Sequence, residues 1–282
     1  MSDTSGEIDV PAAEDAFAVL ADDIRLAVMR ELYAADGPLS FSELRRRVGV
    51  DDSGGFNYHL GKLTDHFVER GADGYELRTG AERILGAVFA GSYGGLDGGI
   101  DPIPVDGDCP TCDGPISAVY EDGLSRVVCD DCGMQVFSYP IPPAIIHDRD
   151  RATLPGVFSR YARTVLDQIV GGICPVCFGP TEPDLETLDG DGEAGIEYRC
   201  RRCGQDFSLT VGVTLLDHPA VRSFAADHDC DVPNAPLWEL DFVFSASERR
   251  TDNGVEAVIA IGDETLTITL DEDLTVVETK RG

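Results

Sequence analysis

The stretch 51–80, "DDSGGFNYHLGKLTDHFVERGADGYELRTG", changes its apolar period halfway along. In its first part Phe56, Leu60, Leu63 and Phe67 recur at i, i+4, i+7 and i+11, the spacing that lines one side of an α-helix. Gly54, Asn57, Tyr58, Gly61 and Lys62 then fall on the opposite side. In its second part "FVERGADGYELRT" reads as strand, turn, strand, with Gly71 and Gly74 in the turn. A helix over about 52–66 followed by a hairpin is therefore expected here.

The flanking sequence supplies partners for that helix. "EDAFAVLADDIRLAVMRELYAAD" reads as two helices separated near Asp22, the second striped by Ile24, Val28 and Leu32. In "GPLSFSELRRRVGV", Ser40 and Glu43 fit a capping box and Gly49 a helix stop. "AERILGAVFAGSY" closes an N-terminal domain over residues 11–93 as a last helix.

The polar side of the 52–66 helix carries chemistry. Gly54 and Gly55 at its start would let the backbone approach a phosphate, helped by the helix N-terminus. Asn57 and Tyr58 suit base-edge or phosphate contacts in a major groove. Ser53, Gly54, Asn57, Tyr58 and Lys62 are the candidate DNA contacts. His59 lies on the flank of the apolar stripe, where it is either a contact or a packing residue. Arg45 and Arg46, with Arg47, are either a phosphate clamp or a solvated face. Asp65 would repel DNA, so the surface ends near Lys62.

After a linker over 94–108 ("GSYGGLDGGIDPIPVDGD" in its wider sequence setting) the chain changes character. Cys109 and Cys112 are answered by Cys129 and Cys132, and Cys174 and Cys177 by Cys200 and Cys203. Two CxxC…CxxC sets in a reducing compartment favour metal over disulfides. Two residues between cysteines let both thiolates reach one tetrahedral Zn²⁺ at about 2.3 Å. The intervals 113–128 and 178–199 can each hold a β-hairpin; "PISAVYEDGLSRVVC" turns at Asp122–Gly123, and the second has a longer turn, "LDGDGEAG". Two structural zinc sites follow, one ribbon over 109–140 and another over 172–212. An iron–sulfur site or redox-active dithiols are the alternatives, opposed by four-ligand closure and the knuckle glycines Gly133 and Gly204. The recurrence of "CP.C.GP" at 109 and 174, and of "C..CG" before "MQVFS" and "QDFS", reads as an internal repeat.

The remaining segments are simpler. "LPGVFSRYARTVLDQIVGG", within a connecting segment 141–171, reads as a helix with Val157, Tyr161, Val165 and Ile169 on one face. Residues 213–282 read as a helix and then short β runs from "LWELDFVF" onward, giving a three- or four-stranded antiparallel sheet with Trp238 near its base and turns at "DNG" and "GDE". Cys230 is left over and reads as a buried small residue. The fold class is α+β.

The formal net charge is −30, with 52 acidic residues and 22 basic ones, of which only Lys62 and Lys280 are lysines. This composition looks like adaptation to molar intracellular salt, as in haloarchaea; an ordinary acidic protein is the alternative. Residues 1–95 carry −8 and the remainder −22. At 1 M salt the Debye length is about 3 Å, so the charge does not veto DNA, but it shifts binding toward base contacts because phosphate contacts weaken with salt. No apolar run approaches a membrane span and "MSDTSGEIDVPAAEDAF" lacks a signal core, so a cytoplasmic protein without membrane attachment is expected.

The helices, hairpin and last helix over 14–92, with Phe41, Glu43, Leu44, Arg45, Val48, Gly49, Ser53, Gly54, Phe56–Leu60 and Gly74–Leu77 in place, resemble the winged helix-turn-helix of haloarchaeal ArsR-like regulators, which carry a zinc-ribbon domain after it. The resemblance implies that "SGGFNYHLGKL" is the recognition helix. It also implies double-stranded DNA as partner, a homodimer with half-sites about 34 Å apart, and the transcription machinery as a further partner. The helix "SFSELRRRV" lacks the Cys or His of a metal-sensing site. A basal factor resembling the archaeal relative of the large TFIIE subunit, and a protein-docking adaptor, are the competing readings. No histidine forms a motif with a Ser or Cys nucleophile, so no enzymatic activity is expected.

Overall fold

The computed structural model describes residues 10–93, 99–184, 195–252 and 254–282, with side chains from residue 14. The chain divides into two compact units, Met1–Gly95 and Leu96–Gly282. No described helix is long and apolar enough to cross a membrane.

In the first unit, α1 (Val10–Leu20) and α2 (Asp23–Tyr33) are separated where Asp22 caps α2, its carboxylate accepting from the Arg25 N–H at 3.1 Å. α3 (Phe41–Val48) starts at Ser40, whose hydroxyl accepts from the Glu43 N–H at 3.2 Å, and stops at Gly49 in the left-handed region. Glu43 does not complete a reciprocal box; its carboxylate instead takes Arg46 and Arg47. α4 (Ser53–Thr64) buries Phe56, Leu60 and Leu63, and Phe67 follows them into the same core. Burying each of these four contributes about 1.5–3 kcal/mol. β1 (Val68–Arg70) and β2 (Tyr75–Leu77) form the hairpin, closed by the Gly71 N–H to Gly74 carbonyl bond. Leu39 bridges to Tyr75, and α5 (Thr79–Phe89) packs Ala81 and Leu85 inward.

The second unit contains three antiparallel sheets, each with its strands in chain order: β3 (Ile100–Asp108) to β6 (Gln135–Pro140), β7 (Thr181–Asp184) to β9 (Asp206–Leu209), and β10 (Ser247–Thr251) to β13 (Val276–Arg281). Between them in sequence lie β4 (Pro115–Glu121), β5 (Leu124–Cys129), β8 (Ile196–Cys200), β11 (Gly254–Ile261) and β12 (Glu264–Leu270). One buried cluster joins all three: Val127 and Phe137, Ile196 and Tyr198, Ile259 and Ile268 share it with α6 (Leu154–Val170), α7 (Val211–Thr214), α8 (Pro219–Ala226) and α9 (Asp241–Ser245). The segments expected as separate ribbons and a separate sheet are thus parts of a common core.

Four sequence expectations are corrected. Residues 100–108, expected as linker, are the edge strand β3, where Pro102 and Pro104 are tolerated because one side needs no partner. "LWELDFVF" is a 3₁₀ turn (Leu237–Glu239) and α9 rather than strand. The buried side of α6 is Phe158, Ala162, Leu166 and Ile169 with Val165, and Val157 and Tyr161 lie on its flank. Trp238 is buried beside Phe137 of β6, their ring centroids 5.9 Å apart, so it seals the first cysteine sheet as well. The "LDGDGEAG" turn falls mainly outside the described residues, and the "DNG" turn does so at Asn253.

Candidate functional site

Two arrangements carry chemistry, one in each unit. On α4 the residues opposite the buried stripe are all exposed: Ser53, Gly54, Asn57, Gly61, Lys62 and Tyr58, the last with 61% of its surface open. The 3.6-residue period places them there, since their neighbours Phe56, Leu60 and Leu63 must be inside.

One expectation at the start of α4 is corrected, and the open readings of His59 and Arg45 are resolved. The N-terminus of α4 is not open to a phosphate, because Asp52 occupies it: its carboxylate accepts from the N–H groups of Gly54 and Gly55, both at 2.9 Å. The "DSGG" spelling is itself the signal, an N-cap carboxylate two and three residues before its donors. His59 is mostly covered and turns its Nδ1 to within 3.3 Å of the Asp22 carboxylate, so it bridges α4 to the start of α2 instead of facing outward. Arg45 donates to the Asp51 carbonyl at 2.7 Å, which ties the end of α3 to the segment entering α4. Arg46 is exposed but shares Glu43 with Arg47, which holds the Glu43 carboxyl below its ordinary range.

In the second unit the eight paired cysteines form two clusters, Cys109–Cys112–Cys129–Cys132 and Cys174–Cys177–Cys200–Cys203, the ligand atoms of each within 4.8 Å of one another. Either cluster can hold a metal ion. Strand alternation does the placing. Ser125, Val127 and Cys129 point inward along β5, as Ile196, Tyr198 and Cys200 do along β8. Each CxxC then folds into the same knuckle. The Asp113 and Phe178 N–H groups donate to the carbonyls of Cys109 and Cys174, both at 2.9 Å; those of Gly133 and Gly204 donate to Cys129 and Cys200 at 3.1 and 3.0 Å. Gly133 and Gly204 sit at φ 74° and 73°, where glycine carries no steric penalty. Gly114 and Gly179 are required for another reason: a β-carbon there would meet the Asp131 side chain at 2.6 Å and Arg202 Cβ at 2.5 Å.

The thiols are unequal. The Cys132 N–H, helped by the Asp131 N–H and opposed by burial, brings the Cys129 pKa down to about 7; the Cys203 N–H, helped by the Arg202 N–H and likewise opposed by burial, brings Cys200 down to about 6. Each cluster therefore has one thiol close to the thiolate form at neutral pH. Cys230 stands apart from both, half-buried, its thiol pushed up by burial.

Comparison with known proteins adds family relations. A family model described as Domain of unknown function (DUF7351) matches residues 106–276, and another, Domain of unknown function (DUF7347), matches residues 13–88. No curated protein and no solved structure matches the chain.

Proposed function

The chain belongs to the family described as Domain of unknown function (DUF7351); we propose, from its first unit, that it is a sequence-specific DNA-binding transcriptional regulator. The observation that carries the reading is α4: an exposed row of Ser53, Asn57, Tyr58 and Lys62 on a helix whose other side is locked into a core. Such a helix, preceded by α3 and followed by the β1–β2 hairpin, has the form of a winged helix-turn-helix. Asn57 and Tyr58 would read base edges, and Lys62 with Arg46 and Arg47 would meet phosphates. The Glu43 pairs are screened by solvent, so a phosphate can replace them.

The reading includes a homodimer, since one short helix reads only part of a site. Phe17, Tyr33, Val88, Phe89 and Tyr93 are exposed on the first unit, with the Tyr33 and Phe89 rings 5.3 Å apart, and a second copy could cover them. It also includes zinc as the metal. Four thiolates bound to Zn²⁺ at about 2.3 Å sit about 3.8 Å apart, and the sulfur pairs here lie 3.5–3.8 Å apart. Four-thiolate closure leaves no open position, so the zinc is structural and no catalysis is assigned. The reading also includes a reducing cytoplasm, where unpaired cysteines stay available to a metal.

The test is genome-wide occupancy of the tagged protein in its own cell, followed by binding of purified protein to the recovered duplex in molar KCl. Discrete peaks with a near-palindromic site, and loss of binding in Asn57→Ala/Tyr58→Ala, are expected. Unchanged binding by that variant defeats the reading. Signal at every active promoter would replace it with a basal factor, and no enrichment with a docking adaptor.

A further inference from the structure

The duplicated cysteine sites offer an internal control, because one backbone carries two different surfaces. At the tip of the first site stand Thr111, Asp113, Asp130 and Asp131; the equivalent positions of the second hold Val176, Phe178, Arg201 and Arg202. The equivalence is structural. The Asp130 N–H donates to the Pro115 carbonyl at 2.9 Å and the Arg201 N–H to the Pro180 carbonyl at 3.0 Å, alongside the matching knuckle bonds. Three carboxylates and a hydroxyl have been exchanged for two guanidinium groups, an aromatic ring and an aliphatic side chain.

The exchanged apolar side chains are not withdrawn into the core. Val176 and Phe178 are 63% and 55% exposed, and Ile173 beside them 47%. Phe178 also occupies the left-handed region, at φ 60°, as Asp113 does at φ 56°. Asp and Asn tolerate that conformation, whereas a bulky residue there costs on the order of 1–2 kcal/mol. The left-handed position therefore costs the second site what it does not cost the first.

We propose that this tip is a binding surface for single-stranded nucleic acid, with Phe178 and Val176 stacking on an unpaired base and Arg202 and Arg201 meeting the flanking phosphates. The proposal rests on the regulator reading and adds a second contact to it, in the other unit. Four side chains at one tip offer far less than the roughly 800 Å² per partner of a stable protein interface. They suffice for one or two bases, each worth about 1–3 kcal/mol in stacking. Salt points the same way: phosphate pairing fades at high ionic strength, which a chain of charge −30 needs for close approach to a polyanion. Stacking survives there. Among the described residues Arg202 forms no ion pair, while Arg201 is paired with Glu182 in an exposed bridge that a phosphate can displace.

The test is fluorescence anisotropy in molar KCl with full-length, zinc-loaded protein, a labelled single-stranded DNA oligonucleotide unrelated in sequence to the recovered promoter sites, and the duplex of that same unrelated sequence. Wild type is expected to prefer the single strand. Installing the first site's chemistry (Val176→Thr, Phe178→Asp, Arg201→Asp, Arg202→Asp) should weaken single-strand binding at least tenfold, with metal content and melting temperature retained. Phe178→Asn alone should weaken it several-fold while relieving the backbone, so that loss of fold cannot account for the change. The proposal is overturned if wild type does not bind the single strand, prefers the duplex, or binds it as well after these substitutions. The two readings separate cleanly: Asn57→Ala/Tyr58→Ala should lose the promoter duplex and keep the single strand, and the tip variants the reverse.

Discussion

The carboxylate of Asp52 accepts from the Gly55 N–H at 2.9 Å, in the space that a β-carbon on Gly55 would need; such a carbon would lie 2.7 Å from Asp52 Oδ2. The cap and the glycine are thus one device at the head of α4. It also fixes where Ser53 and Asn57 begin their row.

Gly55→Ala should therefore destabilise the first unit by about 1 kcal/mol, against the 0.5–1 kcal/mol gain that the change normally brings inside a helix. In an Asp52→Ala background the same substitution should become stabilising. A double-mutant cycle from urea denaturation reads the coupling; additivity would show that cap and glycine are independent.

Gly74 closes the β1–β2 hairpin at φ 149°, and a β-carbon on it would lie 2.5 Å from the Leu39 carbonyl oxygen. Gly74→Ala should cost at least about 1–3 kcal/mol. It should also weaken the Leu39–Tyr75 bridge, visible as faster amide exchange at those two residues.

Elemental analysis should find two zinc ions per chain. Cys129→Ser or Cys200→Ser should each lose one and lower the stability of the second unit by several kcal/mol, since structural zinc contributes on the order of 10–16 kcal/mol. The first unit's melting should be unchanged, because its buried cluster shares no residue with the cysteine clusters. Acidification should release the metal, because protons compete with it for the thiolates.

On α6 the Asp167 carboxyl is raised from 3.8 to about 6, first by burial and then by its hydrogen bond and repulsion with Asp217. The native state keeps a proton that the unfolded chain releases. This group's contribution to stability therefore falls as pH rises from 3.8 to about 6 and stays lost above that. Asp167→Asn should raise the melting temperature at pH 7 and flatten its dependence between pH 5 and 7. A melting curve unchanged across that range would show that the pair does not share a proton.

Local chemistry was enough to read much of this protein from its sequence. The stripe Phe56–Leu60–Leu63–Phe67, the Ser40 cap, the Gly49 stop and the paired cysteines each depend on neighbours a few residues away. So does the Asp122–Gly123 turn, whose two residues adopt φ 51° and 79° as a two-residue hairpin turn demands. The repeated spelling around Cys109 and Cys174 likewise announced two alike knuckles.

Tertiary structure decided the rest, because those outcomes depend on what a segment packs against. "IDPIPVDGD" reads as linker by its prolines and glycine, yet β4 offers it an edge to pair with. "LWELDFVF" has strand-forming residues, but Trp238 and Phe242 find burial in the common core and a turn and short helix present them to it. His59, open between contact and packing, and Arg45, open between clamp and solvated face, are settled by Asp22 and the Asp51 carbonyl, brought close by the packing of α2, α3 and α4. A period says which side of a helix is apolar. Only the assembled core says which of the polar groups beside it are already taken.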